Sequence, residues 1–292
     1  MNTEERDNRL LNIFFPQYLS RTEEIMNERK KLVHYTSAST ALSILQHKEI
    51  WMRNTRCMND FSEVRYGIRL FSLFCQRPQY QKLKEAFGIH GKDFEEAMAK
   101  AINNFDEWTN TTYITCFSEH DDSEDQIGRL SMWRGYGSDS SVAIVLKPDS
   151  FISANKYFGI YTSPVEYLRK DQFDELINQL VDRVQSEKDF LESLDASTIQ
   201  RWVFSMVKFA VVSIKHPGFK EEREWRVIAD PESFENLHQA IISVNGVPQI
   251  VMKIPLTYKK QNEVYGFSIV ANLDHLIIGP TPYPAVIGKA LA

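Results

Sequence analysis

Short apolar segments alternate with stretches of helical periodicity along the chain, and together they predict a mixed fold. Segments rich in β-branched and aromatic residues predict strands at LVHYT (32–36), IWMRN (50–54) and TTYITCFSE (111–119). The unbroken apolar run SVAIVLK (141–147) is typical of a strand buried on both faces. Further strand candidates follow at YFGIYTSPVEY (157–167), FKEEREWRVIAD (219–230), VPQIVMKIPL (247–256) and LDHLIIGP (273–280).

Helical periodicity fills the segments between these strands. Residues 1–31 form a predicted helical lead-in with a break near Pro16, and residues 171–215 form a predicted helical insertion. Ser37 or Ser39 is placed to cap a helix directly behind the first strand. Because no repeat or long linker interrupts the sequence, we predict one α+β domain over residues 1–292, with about eight strands.

Composition and charge narrow the classes of partner. The formal net charge is -5 and the pI is near 5.9, with basic residues scattered, which disfavours generic binding to duplex nucleic acid or anionic membrane. Cys57, Cys75 and Cys116 lack CxxC spacing, which argues against a disulfide framework and a zinc knuckle. The acidic start lacks signal-peptide features and no segment has about 18 uncharged apolar residues, so we expect a cytoplasmic protein that does not enter a membrane.

Several familiar catalytic motifs are absent from the sequence. It contains no GxxxxGK[ST] phosphate loop, no GxGxxG, no HExxH and no GxSxG. His120 is followed by Asp121 and Asp122, but a solvated loop is the simpler interpretation of that cluster. We therefore predict no metal site.

The late segment FKEEREWRVIAD (219–230) sets charged residues two apart. Side chains of an extended strand alternate between faces, so Glu222, Glu224 and Arg226 are predicted to share one face. Such a face is either wetted by solvent or lines a cleft where carboxylates do chemistry. Other polar and aromatic residues near predicted strand ends could face the same cleft, namely His34, Tyr35, Thr36, Ser118, Trp133 and Tyr136.

Five segments stand in a recognisable order and spacing: HYTSASTALSIL (34–45), MNDFSE (58–63), ITCFSE (114–119), SMWRGYG (131–137) and KEEREWRVI (220–228). In these segments the chain resembles an uncharacterised bacterial family, a domain of unknown function common near phage-defence and mobile-element genes. The resemblance implies a toxin or another component of a defence system, with a possible partner protein. Asn59, Asp60 and Glu63 match the family's Asn-Asp-x-x-Glu segment, although capping of a helix N-terminus is the simpler explanation.

The layout also resembles, more remotely, the ADP-ribosyltransferase superfamily, in the branch that opens with a His-Tyr-Thr strand and a helix directly behind it. That resemblance implies a split β-sheet core with helical insertions and NAD as the substrate. Carried onto this sequence, it implies NAD binding by His34, Tyr35, Thr36 and Ser118, nicotinamide stacking by Trp133 or Tyr136, and catalysis by Glu224 with Glu222 as its companion.

These residue types suit cleavage of the bond between nicotinamide and ribose. Positive charge builds on the sugar in such glycosyl transfers, and a fixed carboxylate such as Glu224 stabilises that charge. Glu222 would orient the nucleophile or take its proton. Arg226 would either pair with Glu224 or bind the pyrophosphate of NAD, for which Arg53 and Arg134 are equally plausible partners.

We therefore predict an NAD-dependent enzyme that transfers ADP-ribose to a macromolecule, either protein or nucleic acid, or to water. The alternatives are a catalytically silent module that binds a nucleotide, an interaction component with its partner on residues 171–215, and a nuclease. The NAD-cleaving function requires that Glu224, His34 and an aromatic ring meet across one hollow of dinucleotide size.

Overall fold

A computed structural model describes residues 2–57, 61–137, 139–148, 160–230, 237–244, 246–257 and 268–292. Within them the chain forms two compact units, and it passes through each of them three times. Unit 1 comprises Met1–Arg21, Asn59–Asn110 and Pro164–Lys220, and unit 2 comprises Thr22–Met58, Thr111–Ser163 and Glu221–Ala292. The single domain that the sequence predicts stays a prediction.

Helices make up most of unit 1 and flank the strands of unit 2. In chain order they are α1 (Thr3–Phe14), α2 (Pro16–Glu28), α3 (Ala38–His47), α4 (Phe61–Phe74), α5 (Pro78–Ala86), α6 (Gly91–Asn103), α7 (Phe105–Asn110), α8 (Leu130–Tyr136), α9 (Lys170–Ser186), α10 (Lys188–Glu192), α11 (Ala196–Ser213), α12 (Ile269–Asn272) and α13 (Pro284–Leu291). The predicted lead-in corresponds to α1 and α2, and the predicted insertion to α9–α11. Ser37 caps α3, because its Oγ accepts a hydrogen bond from the Thr40 amide at 3.1 Å.

The strands follow the predicted segments with two additions. In chain order they are β1 (Lys31–Ser37), β2 (Glu49–Asn54), β3 (Tyr113–His120), β4 (Ser141–Leu146), β5 (Ile160–Pro164), β6 (Glu166–Tyr167), β7 (Ile214–Lys215), β8 (Glu224–Ala229), β9 (His238–Val244), β10 (Val247–Pro255) and β11 (Leu273–Ile278). β7 lies within the residues predicted as a helical insertion, and β9 has no counterpart among the predictions. Ala240, Ile242 and Val244 of β9 are partly buried on one face, but Ile241 between them is apolar and 78% exposed, so the sequence does not alternate clearly between apolar and polar residues.

Unit 2 is built around an open antiparallel sheet with the strand order β11-β4-β1-β3-β2-β10-β9, and β8 pairs with β3 beside this path. β3 pairs with three other strands, β1, β2 and β8. β8 pairs with residues 113–118 of β3, β2 with residues 113–114 and β1 with residues 118–120. Since a strand has two edges, β1 and β2 share the edge opposite β8 and diverge along it. The mixed α+β class is therefore confirmed.

The sheet of unit 2 is apolar on both faces. The face that we call the Ser118 face carries Val33 and Tyr35 with the α8 residues Met132 and Trp133 packed against it. The opposite face, which we call the Phe117 face, carries the larger cluster. It includes Leu32, Phe117, Ile144, Trp225 and Val227. Charged groups that belong to the centre of this sheet are therefore surrounded by side chains rather than by bulk water.

Unit 1 has its own core, in which aromatic side chains from distant helices meet. Phe14 of α1 lies 6.3 Å from Phe87 and 6.1 Å from Trp202 of α11, measured between ring centroids. α4 and α11 approach closely at Gly67, where a Cβ atom would lie 2.4 Å from the carbonyl oxygen of Val211. Only glycine therefore fits at position 67 without movement of one helix against the other.

Substitution of Gly67 by alanine tests this helix contact. We expect Gly67→Ala to lower the free energy of unfolding by about 1–3 kcal/mol, because the new methyl group meets main chain that cannot rotate away. The matched control is Gly135→Ala in α8, where an added Cβ has no atom within 4 Å and better helix propensity should leave stability unchanged or slightly higher. Urea unfolding followed by circular dichroism measures both; equal effects of the two substitutions would contradict the close approach.

Candidate functional site

Two of the residues singled out in the sequence face each other across adjacent strands. Ser118 of β3 pairs in register with Glu224 of β8 on one side and with Val33 of β1 on the other. Paired residues project to the same face, so Ser118 and Glu224 both lie on the Ser118 face. Both are buried, with Ser118 1% and Glu224 5% exposed.

The Glu224 carboxylate is held by an arginine of its own strand. Arg226 Nε donates to Glu224 Oε1 at 2.9 Å, and Arg226 Nη2 lies 3.4 Å from Glu224 Oε2. Residues two apart in a strand share a face, which is why the two side chains can meet. The Arg226 side chain is 1% exposed. Of the two roles expected for Arg226, pairing with Glu224 is the one that the structure contains.

His34 does not share the face of Glu224. Strand alternation assigns it to the Phe117 face, and its ring lies 5.5 Å from that of Phe117. Nδ1 of His34 contacts the main-chain oxygen of Cys116 at 2.8 Å, in the stretch of β3 between its pairings with β1 and β2. A carbonyl can only accept, so Nδ1 carries the proton. Burial lowers the pKa of His34 below its usual value of 6.5.

The expected meeting of His34 and Glu224 across one hollow is therefore not formed by these side chains. The expectation failed because the two residues were placed by analogy of sequence order, whereas the register of β1, β3 and β8 decides which residues share a face. Thr36, two residues after His34, shares the face of His34 and not that of Glu224.

Tyr35 and Trp133 form a packed aromatic pair on the Ser118 face. Their ring centroids are 4.7 Å apart in an edge-to-face arrangement. The Tyr35 hydroxyl accepts a hydrogen bond from the Arg129 amide at 2.9 Å, and Trp133 Nε1 donates to the Ile127 carbonyl at 2.8 Å. Burial raises the pKa of the Tyr35 phenol.

Close packing also occupies the two sides of the Trp133 ring. A Cβ atom added at Gly128 would lie 2.6 Å from Trp133 Cζ2, and one added at Gly279 would lie 2.9 Å from Trp133 Cε3. Of the two aromatic residues predicted to stack on nicotinamide, Trp133 is thus enclosed by the protein. Tyr136, at the end of α8, is 36% exposed.

Glu222 does not lie on the late strand, so the prediction that it shares a strand face with Glu224 is wrong. Residues Pro217–Glu222 form a 3-10 helix, and β8 begins only at Glu224. Arg223 between them has a φ of 44°, in the left-handed region, which an extended strand does not contain. Alternation was therefore applied across a break in the strand.

A network around Arg129 lies beside β8 and was not predicted. The Arg129 guanidinium forms two hydrogen bonds of 2.9 Å with the Glu124 carboxylate and donates to the main-chain oxygens of Glu119 at 2.7 Å and Glu222 at 3.2 Å. Arg223 pairs with Glu124 as well and with Asp121, whose pKa it holds below the usual range. The network connects the end of β3 to the start of β8, two segments that no sequence spacing relates.

The remaining polar candidates have other partners, are exposed, or lie outside the residues that the structure describes. Asn59 and Asp60 lie outside the described residues. Glu63 belongs to unit 1, where its carboxylate lies 3.0 Å from Lys215 Nζ and both side chains are buried. In unit 2, Arg53 donates to Gln249 at 3.0 Å, and Arg134 on α8 is exposed.

One family model matches part of the chain. Residues 132–227 match the model of a family described as a protein of unknown function, DUF2971. The predicted resemblance to an uncharacterised domain family is thereby confirmed. Neither the curated proteins nor the solved structures contain a significant match to this chain. The matched residues include Trp133, Tyr136, Glu224 and Arg226, whereas Ser118 precedes them.

In the part of the chain that the structure describes, no helix combines the length and the apolar character that crossing a bilayer requires.

The buried pair of Glu224 and Arg226 makes a first prediction for the site. Arg226→Met removes the guanidinium while Glu224 stays buried, and we expect a loss of about 3–5 kcal/mol in the free energy of unfolding. The double substitution Glu224→Gln with Arg226→Met should recover a large part, because it removes both charges. Denaturant unfolding measures each, with Lys92→Met as the control at an exposed ion pair with Glu96. A loss for Arg226→Met as small as that of Lys92→Met would contradict this assignment.

His34 makes a second prediction, on pH. Because burial lowers its pKa in the folded state, the unfolded chain binds a proton near pH 6.5 that the folded chain does not. The contribution of neutral His34 is thus complete above pH 6.5 and is lost as the pH falls below it, with a slope of at most about 1.4 kcal/mol per pH unit. His34→Gln keeps a donor for the Cys116 carbonyl but does not titrate. Its unfolding free energy should fall less than that of the wild type between pH 7.5 and 5.5; parallel curves would refute a buried neutral histidine.

Proposed function

We propose that this chain is an NAD-dependent enzyme of ADP-ribosyltransferase type, with Glu224 as the carboxylate that stabilises the reacting ribose. The observation that carries the proposal is the placement of Glu224. It is 5% exposed, in register with Ser118, and bonded to Arg226 at 2.9 Å. A carboxylate fixed by a permanent cation and shielded from water is the type of group that stabilises an oxocarbenium-like sugar.

The sheet supports the proposal in a second way. β1 and β2 pair with opposite ends of one edge of β3 and diverge along it. The resemblance to ADP-ribosyltransferases implies a split sheet, and this divergence within one continuous sheet is the feature that supports it. β3 pairs with β1 on one edge and with β8 on the other. The strand that carries Ser118 therefore lies between the strand that carries His34 and the strand that carries Glu224, which is the order that the resemblance implies.

The proposed reaction breaks the bond between ribose C1′ and the nicotinamide nitrogen. The electron pair of that bond leaves with nicotinamide, which departs as a neutral ring. Glu224 accepts a hydrogen bond from the ribose 2′-hydroxyl and stabilises the positive charge on the sugar. A hydroxyl or amine of a macromolecule, or water, then bonds to C1′ and releases its proton to solvent water.

The other parts of NAD would be bound by side chains that remain accessible. Tyr136 is the aromatic residue on which nicotinamide would stack, since Trp133 is enclosed between Gly128 and Gly279. Arg134, exposed on the same helix, would bind the pyrophosphate, which suits the planar guanidinium. His34 and Thr36 belong to the other face of the sheet, so the requirement that His34 meet Glu224 is not fulfilled. The proposal is therefore narrower than the one drawn from the sequence, and it rests on Glu224 and Tyr136 without a role for either residue at the reacting ribose.

A second candidate function is a catalytically silent module that binds a nucleotide, alone or within a defence system. The specific observation in its favour is that Arg226 already neutralises Glu224 and that both are almost fully enclosed. In that case the ion pair has a structural role, and NAD would bind without being cleaved.

Release of nicotinamide from NAD by the purified full chain tests the proposal. We expect Glu224→Gln to reduce the rate per folded molecule by about a hundredfold or more, because the amide carries no charge to stabilise the sugar. The variant is also expected to be less stable, since the buried Arg226 guanidinium loses its counter-charge, so the rate is referred to the folded fraction. Tyr136→Ala should raise the KM for NAD, because the 36% exposed ring is the one on which nicotinamide is proposed to stack. Chromatography quantifies nicotinamide, and near-UV circular dichroism monitors the fold.

Glu221→Gln is the matched control, because this neighbouring glutamate is exposed and lies outside β8. It should release nicotinamide at the wild-type rate. Labelled NAD added to a cell lysate then identifies the acceptor as protein, nucleic acid or water. If NAD stabilises the chain against heat but no nicotinamide is released, the result favours the silent module. If NAD neither stabilises the chain nor is cleaved, both functions are refuted.

A further inference from the structure

A second group of chemically active side chains lies at the end of β3. His120 is the last residue of β3, Asp125 follows the 3-10 helix Asp122–Glu124, and His275 lies on β11. One nitrogen or oxygen atom of each of the three residues lies within 4.8 Å of the other two. His275 is far from the other two in sequence, so only the fold brings this group together.

The group contains more acceptors than protons. His120 Nε2 lies 2.8 Å from Asp125 Oδ1, and His275 Nε2 lies 3.5 Å from the same oxygen. Nδ1 of His275 contacts the Asp274 carboxylate at 2.8 Å, and since a carboxylate only accepts, Nδ1 carries the proton of the neutral ring. The lone pair of His275 Nε2 then faces the negatively charged Asp125 oxygen, an arrangement that a cation between them would stabilise.

Two buried ring nitrogens also lack a hydrogen bond. These are Nδ1 of His120, whose side chain is 0% exposed, and Nε2 of His275. A buried polar atom without a partner costs about 1–3 kcal/mol, so such atoms are rare where no ligand or ion is bound. The unpartnered Nε2 of His275 points into the group itself.

A bound cation gives all three inner atoms of the group a partner. If Nε2 of both histidines and Oδ1 of Asp125 bind a single cation, each Nδ1–H lies on the side of a further carboxylate. For His275 that carboxylate is Asp274, at the hydrogen-bond distance of 2.8 Å, and for His120 it is Glu124 at 3.7 Å, which is longer than a hydrogen bond. A carboxylate on the outer nitrogen of a metal-binding histidine is the usual second layer of such sites, because it orients the ring.

The neighbouring lysine leaves the inner oxygen available. Lys31 Nζ contacts Asp125 through Oδ2, at 3.5 Å, and Asp274 through Oδ2, at 3.1 Å. Oδ1 of Asp125, the atom nearest both histidines, is thus turned to the group. Asp125 and His275 are partly exposed, which gives an ion a path from solvent.

We propose that His120, Asp125 and His275 bind one divalent transition-metal ion of the Zn²⁺ class. Two imidazoles and one carboxylate suit Zn²⁺, Co²⁺ or Fe²⁺ rather than Mg²⁺ or Ca²⁺, which prefer oxygen ligands throughout. Metal–ligand bonds of about 2.0–2.2 Å in a tetrahedron set the ligand atoms roughly 3.4 Å apart. The separation of 3.5 Å between His275 Nε2 and Asp125 Oδ1 matches this value, and the 2.8 Å between His120 Nε2 and Asp125 Oδ1 would widen by roughly half an ångström when an ion binds. With three protein ligands, the fourth position is open to water or a substrate.

Calorimetric titration of the tag-free full chain with Zn²⁺ tests the proposal. We expect one ion per chain, and loss of at least a hundredfold in affinity on Asp125→Asn or His275→Ala, both partly exposed positions where folding should persist. Asp274→Asn keeps all three ligands and should weaken Zn²⁺ binding about 10- to 100-fold. His238→Ala, at an exposed histidine of β9, is the control and should bind as the wild type does.

Zn²⁺ should also raise the unfolding temperature of the wild type but not of Asp125→Asn, because an ion that binds only the folded chain stabilises it. The proposal is overturned if Zn²⁺ does not bind the wild type, which would leave a proton between His275 and Asp125. It is equally overturned if Asp125→Asn and His275→Ala bind Zn²⁺ as tightly as the wild type, which would point to the cysteines. Mg²⁺ at the same concentration should produce no stabilisation.

Discussion

The ion pair of Glu224 and Arg226 inside unit 2 is the interaction on which the account of this protein depends. Removal of two charges from water costs several kcal/mol for each ion, and only close pairing with further hydrogen bonds offsets that cost. The pair forms because the strand is extended from Glu224 onwards, which sets the two side chains on one face. Its position opposite Ser118 on β3 is the placement on which the proposed role of the carboxylate rests.

β3 connects this pair with the proposed metal site. Ser118 and His120 are two residues apart on β3 and therefore lie on the same face, one opposite Glu224 and one at the group with Asp125 and His275. Both edges of β3 are paired, so its side chains are held by rigid main chain on either side. Sites on strands of this kind are better fixed than sites on loops.

The local structure could be predicted from sequence where burial is one-sided or complete. β4 is buried at all six positions and was recognisable as an apolar run, and Ser37 caps α3 as its residue type suggests. β9, in which the exposed Ile241 lies between partly buried apolar residues, gave no such signal. Glu222 was misplaced because alternation holds only within one strand, and the left-handed φ of Arg223 cannot be inferred from an arginine.

Contacts between distant segments could not be predicted in the same way. The separation of His34 from Glu224 follows from strand register, and the meeting of His120 with His275 follows from sheet order. Neither feature can be recognised from residue spacing in the sequence.

A crystal structure with bound ADP-ribose or nicotinamide tests the central claim most directly. The account predicts a ribose hydroxyl or the nicotinamide ring beside the Glu224 carboxylate, with Arg226 still paired. A ligand bound elsewhere, with Glu224 and Arg226 sealed beneath protein, would contradict it.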